Sequence, residues 1–334
     1  MSEHERDLDA LAHETGFSGV VRIDRGDNSE LVTAYGLAHR GFEIPNEPET
    51  RFGTASGTKG LTALAVVSLI EEGLLDLTTP ARSLLGNDLP LIRDDVTVEH
   101  LLAHRSGIGD YLDEEDEQDL SEYPMPVPVH ELADTEDYLA VLNGHETKFP
   151  PGERFSYSNG GYVVLALIAE RASGVPFHEL VRRRVCEPAG MVDTEFLRSD
   201  ELPGQVAQGY LHRDGLRTNI LHLPVRGTGD GGIYSTAADM TALWRALLAG
   251  EIVSPGWVEE MTRPRSDAPP KRRYGLGMWL GGTSDALLLV GSDAGVSFET
   301  MHRPSTGLTV TVVSNTTDGA WPLVRFLDGR FGVG

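Results

Sequence analysis

Predicted strands lie at both ends of this chain, and this arrangement limits its possible folds more than any other feature. Residues 17–40 have the pattern of a β-hairpin with its turn at residues 25–28. Near the other end, before a final helix, strands are predicted at 274–281, 285–291, 297–304 and 307–315. We expect the two groups of strands to join one antiparallel sheet.

The middle of the chain is mostly helical and defines the rest of the predicted fold. Apolar residues recur at helical spacing over 56–75, and a buried helix is predicted over 159–173. The predicted class is α/β (α+β), a single domain with a helix-flanked antiparallel sheet, a mostly helical lobe and the active site between them. The lobes are expected at the following approximate bounds: sheet lobe 1–54 and 215–334, helical lobe 55–214.

The net charge of the chain argues against several classes of partner. Acidic residues outnumber basic ones by 51 to 28, which gives a net charge of −23. A surface this acidic repels phosphate backbones and anionic lipids, so neither nucleic acid nor a membrane is an expected partner. The acidic, proline-containing stretch at 109–137 is predicted to be a solvated loop that could cover a cleft.

The cysteine content and the lengths of the apolar runs indicate the cellular compartment in which the protein is expected. Cys186 is the single cysteine, so no intrachain disulfide can form, and we expect it to be a small buried residue. The charged N-terminal residues have no apolar signal core, and the apolar run at 61–70 is too short to span a bilayer. A cytoplasmic location is therefore the expectation.

The first candidate catalytic motif is Ser56-Gly57-Thr58-Lys59 at the start of an apolar helix. Residues at i and i+3 share a helix face, so the lysine amine can reach the serine hydroxyl. Burial would lower the lysine pKa and make it a base at neutral pH. The motif alone is weak, because composition yields S-x-x-K in about one such chain in five, and a helix cap with a surface lysine would look the same.

A second candidate motif is Tyr157-Ser158-Asn159. The tyrosine could relay a proton to a leaving group, and the asparagine amide could bind a substrate carbonyl. A turn before a helix would explain the same three residues equally well.

Competing motifs are absent or incomplete. Thr54 and Thr58 occupy the glycine positions of a G-x-S-x-G nucleophile elbow around Ser56. The glycines of 227–232 satisfy G-x-G-x-x-G, but the strand–turn–helix setting of a dinucleotide site is missing. No H-E-x-x-H or cysteine cluster occurs, and we expect no metal and no cofactor. His104 is expected to be a hydrogen-bonded turn or core residue.

The order of these motifs resembles the superfamily of serine β-lactamases, penicillin-binding proteins and family VIII carboxylesterases, of the class C β-lactamase-like type. The resemblance covers nearly the whole chain. It is carried by six segments in the expected order: RFGTASGTKGLTALAV (51–66), HLLAHRSGIGDY (100–111), FPPGERFSYSNGGYVVLALIAERASG (149–174), EPAGM (187–191), GTGDGGIYSTAADMTALWRALLAG (227–250) and YGLGMWL (274–280).

The resemblance implies roles for three residues. Ser56 would attack a carbonyl and form an acyl-enzyme, and Lys59 would take the serine proton. Tyr157 would share the base role and protonate the leaving group. Water activated by the same pair would then release the acid.

The chain departs from the family at the third motif, which is usually K-T-G or H-x-G on the strand at the edge of the cleft. The corresponding stretch is taken to be residues 291–295. We align Ser292 with the usual cation and Gly295 with the N–H that completes the oxyanion hole beside that of Ser56. No cation is left to pair with a substrate carboxylate, and Asp293 would repel one.

These features favour a serine hydrolase of small neutral esters, with amides or lactones as further possibilities. A β-lactamase or D-alanyl peptidase is the first alternative, and a non-catalytic scaffold or binding protein with the same fold is the second. Tyr111 and Asp230 are expected to line the cleft, although structural roles would suit both. The sequence does not indicate the oligomeric state or the natural substrate.

Overall fold

The computed structural model describes residues 3–115, 119, 122–268 and 272–331, and side chains from Glu5 onward. Part of the acidic stretch predicted as a loop, including Asp116, lies outside the described residues. The helices are α1 (Glu3–Thr15), α2 (Thr58–Glu71), α3 (Ala81–Leu85), α4 (Val98–Leu102), α5 (Leu139–Leu142), α6 (Asn159–Ser173), α7 (Phe177–Val181), α8 (Glu187–Ala189), α9 (Ala237–Ala249), α10 (Pro255–Thr262) and α11 (Trp321–Phe331). The strands are β1 (Gly19–Arg25), β2 (Asn28–Tyr35), β3 (Leu37–His39), β4 (Ile44–Pro45), β5 (Phe52–Gly53), β6 (Tyr234–Ser235), β7 (Ser266–Ala268), β8 (Arg272–Tyr274), β9 (Trp279–Leu280), β10 (Leu287–Asp293), β11 (Val296–Arg303) and β12 (Leu308–Ser314).

The strands from the two ends of the chain join one eight-stranded sheet, as the sequence predicted. Its order is β2-β1-β12-β11-β10-β9-β8-β7, and neighbouring strands are antiparallel. The N- and C-terminal segments meet where β1 pairs with β12, with Gly19 opposite Ser314. The predicted fold class is thus confirmed, while the division into two lobes at the stated bounds stays a prediction.

Helices cover both faces of this sheet. Along β1, Val20 belongs to a core with α2, α6 and α9, whereas Val21 belongs to a second core with α1 and α11. This alternation follows from the period of two in a β-strand. Among the described residues, no helix is both long and apolar enough to cross a bilayer.

Helix α2 is buried all round and therefore holds its first turn rigidly. Its residues from Thr58 to Ile70 are buried, and the helix contacts both α6 and β10. A helix without a polar face is typical of a protein interior. The catalytic motif predicted at its start is consequently fixed by the core of the molecule.

One predicted strand differs from the structure. The segment 274–281 forms the end of β8 and all of β9, with a tight turn between them. Gly277 has φ +88°, and a Cβ on it would lie 2.1 Å from Ala63 Cβ in α2. Because the backbone approaches α2 this closely, the chain turns where the sequence predicted one continuous strand.

Glu299 of β11 is a buried carboxylate outside the catalytic motifs. It is 5% exposed, lies 3.5 Å from Arg272 Nη2 and is close to Asp328 of α11. Burial, together with the Asp328 carboxylate, raises the pKa of Glu299 to about 7. The folded protein therefore holds this proton at a pH where the unfolded chain, with a glutamate pKa of about 4.3, releases it.

We expect Glu299→Gln to change how stability depends on pH. A raised carboxyl pKa contributes stability that is complete below about pH 4 and is lost as pH rises through about 7. The wild type should therefore lose stability between pH 5.5 and 8.0 relative to Glu299→Gln, measured as the urea midpoint at each pH. Glu259→Gln, at a site with 80% side-chain exposure, is the control. Parallel pH profiles for the wild type and Glu299→Gln would contradict the assignment.

Candidate active site

Ser56 lies in a short 3-10 turn, Ala55–Gly57, that leads directly into α2. Ala55 has φ +45°, a left-handed conformation that costs free energy for a residue with a Cβ. The turn is fixed by Thr58 Oγ1, which donates to Ala55 O at 2.7 Å and accepts from Ile233 N at 3.2 Å. Local strain held by a buried network is typical of a positioned nucleophile.

Lys59 is buried and its amine contacts three oxygen atoms. Its Nζ lies 2.9 Å from Ser56 Oγ, 2.8 Å from Asn159 Oδ1 and 2.7 Å from the backbone oxygen of Asp230. Burial lowers the lysine pKa, and the carboxylates of Asp230 and Glu114 act in the opposite direction. A neutral amine can donate to Asn159 and Asp230 and direct its lone pair at the Ser56 hydroxyl. This geometry suits a general base for Ser56.

Tyr157 lies beside the same pair. Its ring centroid is 4.9 Å from Lys59 Nζ, and the ring stacks on Trp279 with centroids 5.9 Å apart and planes 10° apart. Burial raises the pKa of Tyr157 well above its usual range, although a hydrogen bond with Ser56 acts to lower it. The phenol is therefore protonated at neutral pH and able to donate a proton.

Asn159 is the first residue of α6, and the protein uses both ends of its amide. Its Oδ1 accepts from Lys59, and its Nδ2 donates to Leu112 O at 2.9 Å. An amide nitrogen has two N–H donors, so one remains for the substrate carbonyl expected from the sequence.

The third motif lies in a different register from the one expected. The strand residue pressed against the nucleophile is Gly291, since a Cβ on it would lie 2.1 Å from Thr54 O and 3.0 Å from Ser56 N. Two residues earlier on the same face, Leu289 lies against Gly60 of α2. Gly291 thus takes the position of the glycine in K-T-G or H-x-G, and Leu289 takes that of the cation. Aligning Ser292 with the cation was wrong by three residues, and Ser292 is exposed at the rim of the cleft.

The expected role of Gly295 is also wrong. Gly295 lies in the two-residue turn between β10 and β11 with φ +72°, and its N–H donates to Thr317 Oγ1 at 2.9 Å. That bond occupies the backbone N–H of Gly295 and directs it away from Ser56. The register of β10 could not be predicted from the residues of β10 alone. It depends on the backbone contact between β10 and the Ser56 turn.

Tyr111 and Asp230 lie together in the cleft. The Tyr111 hydroxyl donates to Asp230 Oδ2, and both residues line the cavity that contains Ser56. Burial raises the pKa of Asp230, with Lys59 acting in the opposite direction. Asp293 lines the same cavity, where burial raises its pKa to about 7.

Two aromatic contacts of Tyr157 were not assigned from sequence. Trp279 of β9 stacks on its ring, and His104 lies 4.2 Å away, centroid to centroid. His104 Nδ1 accepts from Ser158 N at 3.0 Å, and burial holds the His104 pKa well below its usual value. His104 is therefore the hydrogen-bonded core residue that the sequence predicted, while Trp279 was placed only in a strand.

Two remaining features are not part of this site. Cys186 is buried as predicted, and burial raises its pKa to about 12, which makes it a poor nucleophile. In the part of the chain that the structure describes, no group of three or more His, Cys, Asp or Glu side chains could hold a metal ion.

Comparison with known proteins agrees with this geometry. The family model described as Beta-lactamase matches residues 4–325. The chain is 30% identical to the putative penicillin-binding protein PbpX of Bacillus subtilis over 80% of this chain and 63% of that protein. It is 28% identical to the esterase EstB of Burkholderia gladioli, over 73% and 67%. The chain thus spans less than two thirds of the length of PbpX.

A solved structure is similar over the whole fold. The crystal structure of a penicillin-binding protein from Bacillus halodurans superposes with a TM-score of 0.90 at 34% identity, covering 96% of this chain and 99% of that one. The match of the family model across the chain and the arrangement of Ser56, Lys59 and Tyr157 lead to the same assignment. The chain belongs to the Beta-lactamase family.

Proposed function

We propose that the protein hydrolyses small esters that carry no carboxylate, through an acyl-enzyme on Ser56. The observation that supports this most directly is the charge of the cavity around Ser56. Among the described residues that line it, none is Lys or Arg, and four are carboxylates: Asp113, Glu114, Asp230 and Asp293. We assign Leu289 to the position of the family's cation, because it lies two residues before Gly291 on the same face of β10. An anionic substrate would meet repulsion there without a counter-charge.

Acylation begins with proton transfer from Ser56 to Lys59. The Ser56 oxygen bonds to the ester carbonyl carbon while the neutral Lys59 amine, 2.9 Å away, takes the hydroxyl proton. Collapse of the tetrahedral intermediate breaks the ester C–O bond. Tyr157 gives its proton to the leaving oxygen and regains one from Lys59, so both groups return to their starting states.

The oxyanion hole is formed by the N–H groups of Ser56 and Ser292. Asp293 and Val296 close the two-residue turn of the β10–β11 hairpin as a hydrogen-bonded pair, so the next pair, Ser292 and Ser297, is not hydrogen-bonded. The Ser292 N–H therefore points away from β11, on the side where Gly291 contacts the Ser56 turn. Each such donor stabilises the transition state by about 2.7–4 kcal/mol.

Deacylation uses Lys59 and Tyr157 again, with the proton transfers in the reverse direction. A water molecule replaces the leaving alcohol, and Lys59 with Tyr157 removes its proton as it attacks the acyl carbon. The bond to Ser56 breaks, and the serine oxygen recovers its proton from the same pair. A role as a binding protein without catalysis does not explain why a buried amine contacts the Ser56 hydroxyl.

A β-lactamase or D-alanyl peptidase is the second candidate. It is favoured by the intact contacts among Ser56, Lys59 and Asn159 and by the 34% identity to a penicillin-binding protein of known structure. The acidic cleft argues against it, because cephalosporins and peptides ending in D-alanine carry a carboxylate.

Ester hydrolysis should depend on Ser56. We expect turnover of short-chain p-nitrophenyl esters by the wild type, and a fall in kcat of at least about 10³-fold in Ser56→Ala, because the nucleophile is lost. Cleavage of a chromogenic cephalosporin should be much slower than ester cleavage. Ser83→Ala, which removes an exposed hydroxyl, should retain wild-type activity. Rapid Ser56-dependent cephalosporin cleavage would reverse the order of the two candidates.

Gly291→Ala should disable the oxyanion hole. The added Cβ meets the backbone oxygen of Thr54, which cannot move aside as a side chain can, so β10 must shift away from Ser56. We expect kcat for the esters to fall by about 10²–10³-fold. Gly256→Ala in α10, where a Cβ meets nothing within 4 Å, is the matched control, and urea midpoints of both variants separate misfolding from lost activity. Activity within threefold of wild type would show that the close approach of Gly291 is not needed.

A further inference from the structure

The cavity around Ser56 is lined by more carboxyl groups than the described residues pair with cations. Asp113 is paired with Lys148, whose Nζ lies 2.8 Å from its Oδ2. Glu114, Asp230 and Asp293 also line the cavity, and none of the three forms an ion pair with another described residue. A carboxylate in a desolvated position is unfavourable unless something of opposite charge accompanies it.

Asp230 is the most enclosed of these carboxylates. It is 8% exposed, and among the described side chains Tyr111 alone donates a hydrogen bond to it. A phenol hydrogen bond satisfies one oxygen without neutralising the charge. Asp293 accepts from Ala294 N at 2.9 Å, and burial and the nearby Asp230 raise its pKa to about 7. The cleft thus holds two carboxyl groups that repel each other when both are ionised.

Lys59 acts on Asp230 and Asp293 only through space, because its amine contacts neither carboxylate. Its three contacts are the Ser56 hydroxyl, the Asn159 amide and the backbone oxygen of Asp230, and none of them is a carboxylate oxygen. In addition, Lys59 must be neutral to accept the Ser56 proton. The carboxylate oxygens of the cleft therefore remain available to a cation bound there.

Aromatic rings line the same cavity. Tyr111, Tyr123, Tyr138 and Tyr234 are among its lining residues. Ring faces attract alkylammonium groups, and carboxylates beside them add a Coulombic attraction. Carboxylates and aromatic rings together form an environment suited to an organic cation and unsuited to an anion.

We propose that the preferred substrates are esters that carry a positively charged amine, held between Asp293 and Asp230 while Ser56 attacks the carbonyl. This inference rests on the proposed esterase function and specifies its substrate class. The charge of the ligand would replace the missing counter-ion. Asp293, at the end of β10 next to the proposed oxyanion strand residue, would act as the specificity-determining residue.

A pair of esters that differ only in charge tests this preference. The p-nitrophenyl ester of 4-(trimethylammonio)butyrate has the shape of the p-nitrophenyl ester of 5,5-dimethylhexanoate, in which carbon replaces the nitrogen. Each kcat/KM is divided by the ester's own hydrolysis rate in buffer. The ratio of interest is the normalised kcat/KM of the cationic ester divided by that of the neutral ester. At low ionic strength we expect this ratio to be about ten or more, and to fall as salt is added. A ratio of one or less would overturn the proposal.

Substitution of single aspartates tests which residue causes the preference for the cationic ester. Asp293→Asn should reduce the ratio at least threefold while the neutral ester is still hydrolysed, which shows that the variant is folded. Asp27→Asn, at a side chain that is 93% exposed, removes one charge far from the cleft and should leave the ratio unchanged. An unchanged ratio in Asp293→Asn would exclude this residue as the cation-binding group.

Binding to Ser56→Ala separates this proposal from the proposed function. Calorimetry with the two intact esters should give a lower Kd for the cationic one, and the difference should shrink in Ser56→Ala/Asp293→Asn. If this preference in binding appears although the wild type hydrolyses neither ester, the esterase function is wrong and the cation site stands. Equal binding of the two esters would overturn the cation site even where ester hydrolysis is confirmed.

Discussion

The burial of Lys59 is the constraint on which the rest of this site depends. An amine removed from water must have its hydrogen-bonding capacity met, and here three separate parts of the chain do so: the Ser56 turn, the start of α6 and the backbone before Gly231. Because each acceptor lies on a different element, the amine fixes these elements relative to one another. The same burial lowers the pKa of Lys59 and provides a base at the start of α2.

The sheet completes the site from the opposite side. Strand β10 reaches the Ser56 turn only because β11, β12 and β1 hold it in register within a sheet that joins both ends of the chain. The glycine at position 291 lets the backbones of β10 and the turn come into direct contact. The nucleophile and its proposed oxyanion donors therefore belong to different structural layers, and their distance is set by the packing of α2 against the sheet.

The parts of the site that were predictable from sequence are those defined by local spacing. Ser56 and Lys59 are one helical turn apart, and Tyr157 and Asn159 directly precede and begin a helix, so short motifs describe them adequately. The register of β10 was not predictable in this way. A cation is missing from its sequence, and only the contact of Gly291 with Thr54 shows which residue takes the cation position. The stacking of Trp279 on Tyr157 was missed for the same reason, since it joins residues far apart in sequence.

The acidity of the cleft and the basicity of Lys59 act on each other. The carboxylates of Asp230, Glu114 and Asp293 favour the protonated amine, whereas burial favours the neutral one that can accept the Ser56 proton. An organic cation bound beside these carboxylates would cancel part of their field at Lys59. Substrate charge would then shift Lys59 toward its basic form at the moment when Ser56 must lose its proton. A cleft of this kind would select its substrate by charge and prepare its own base through the same contact.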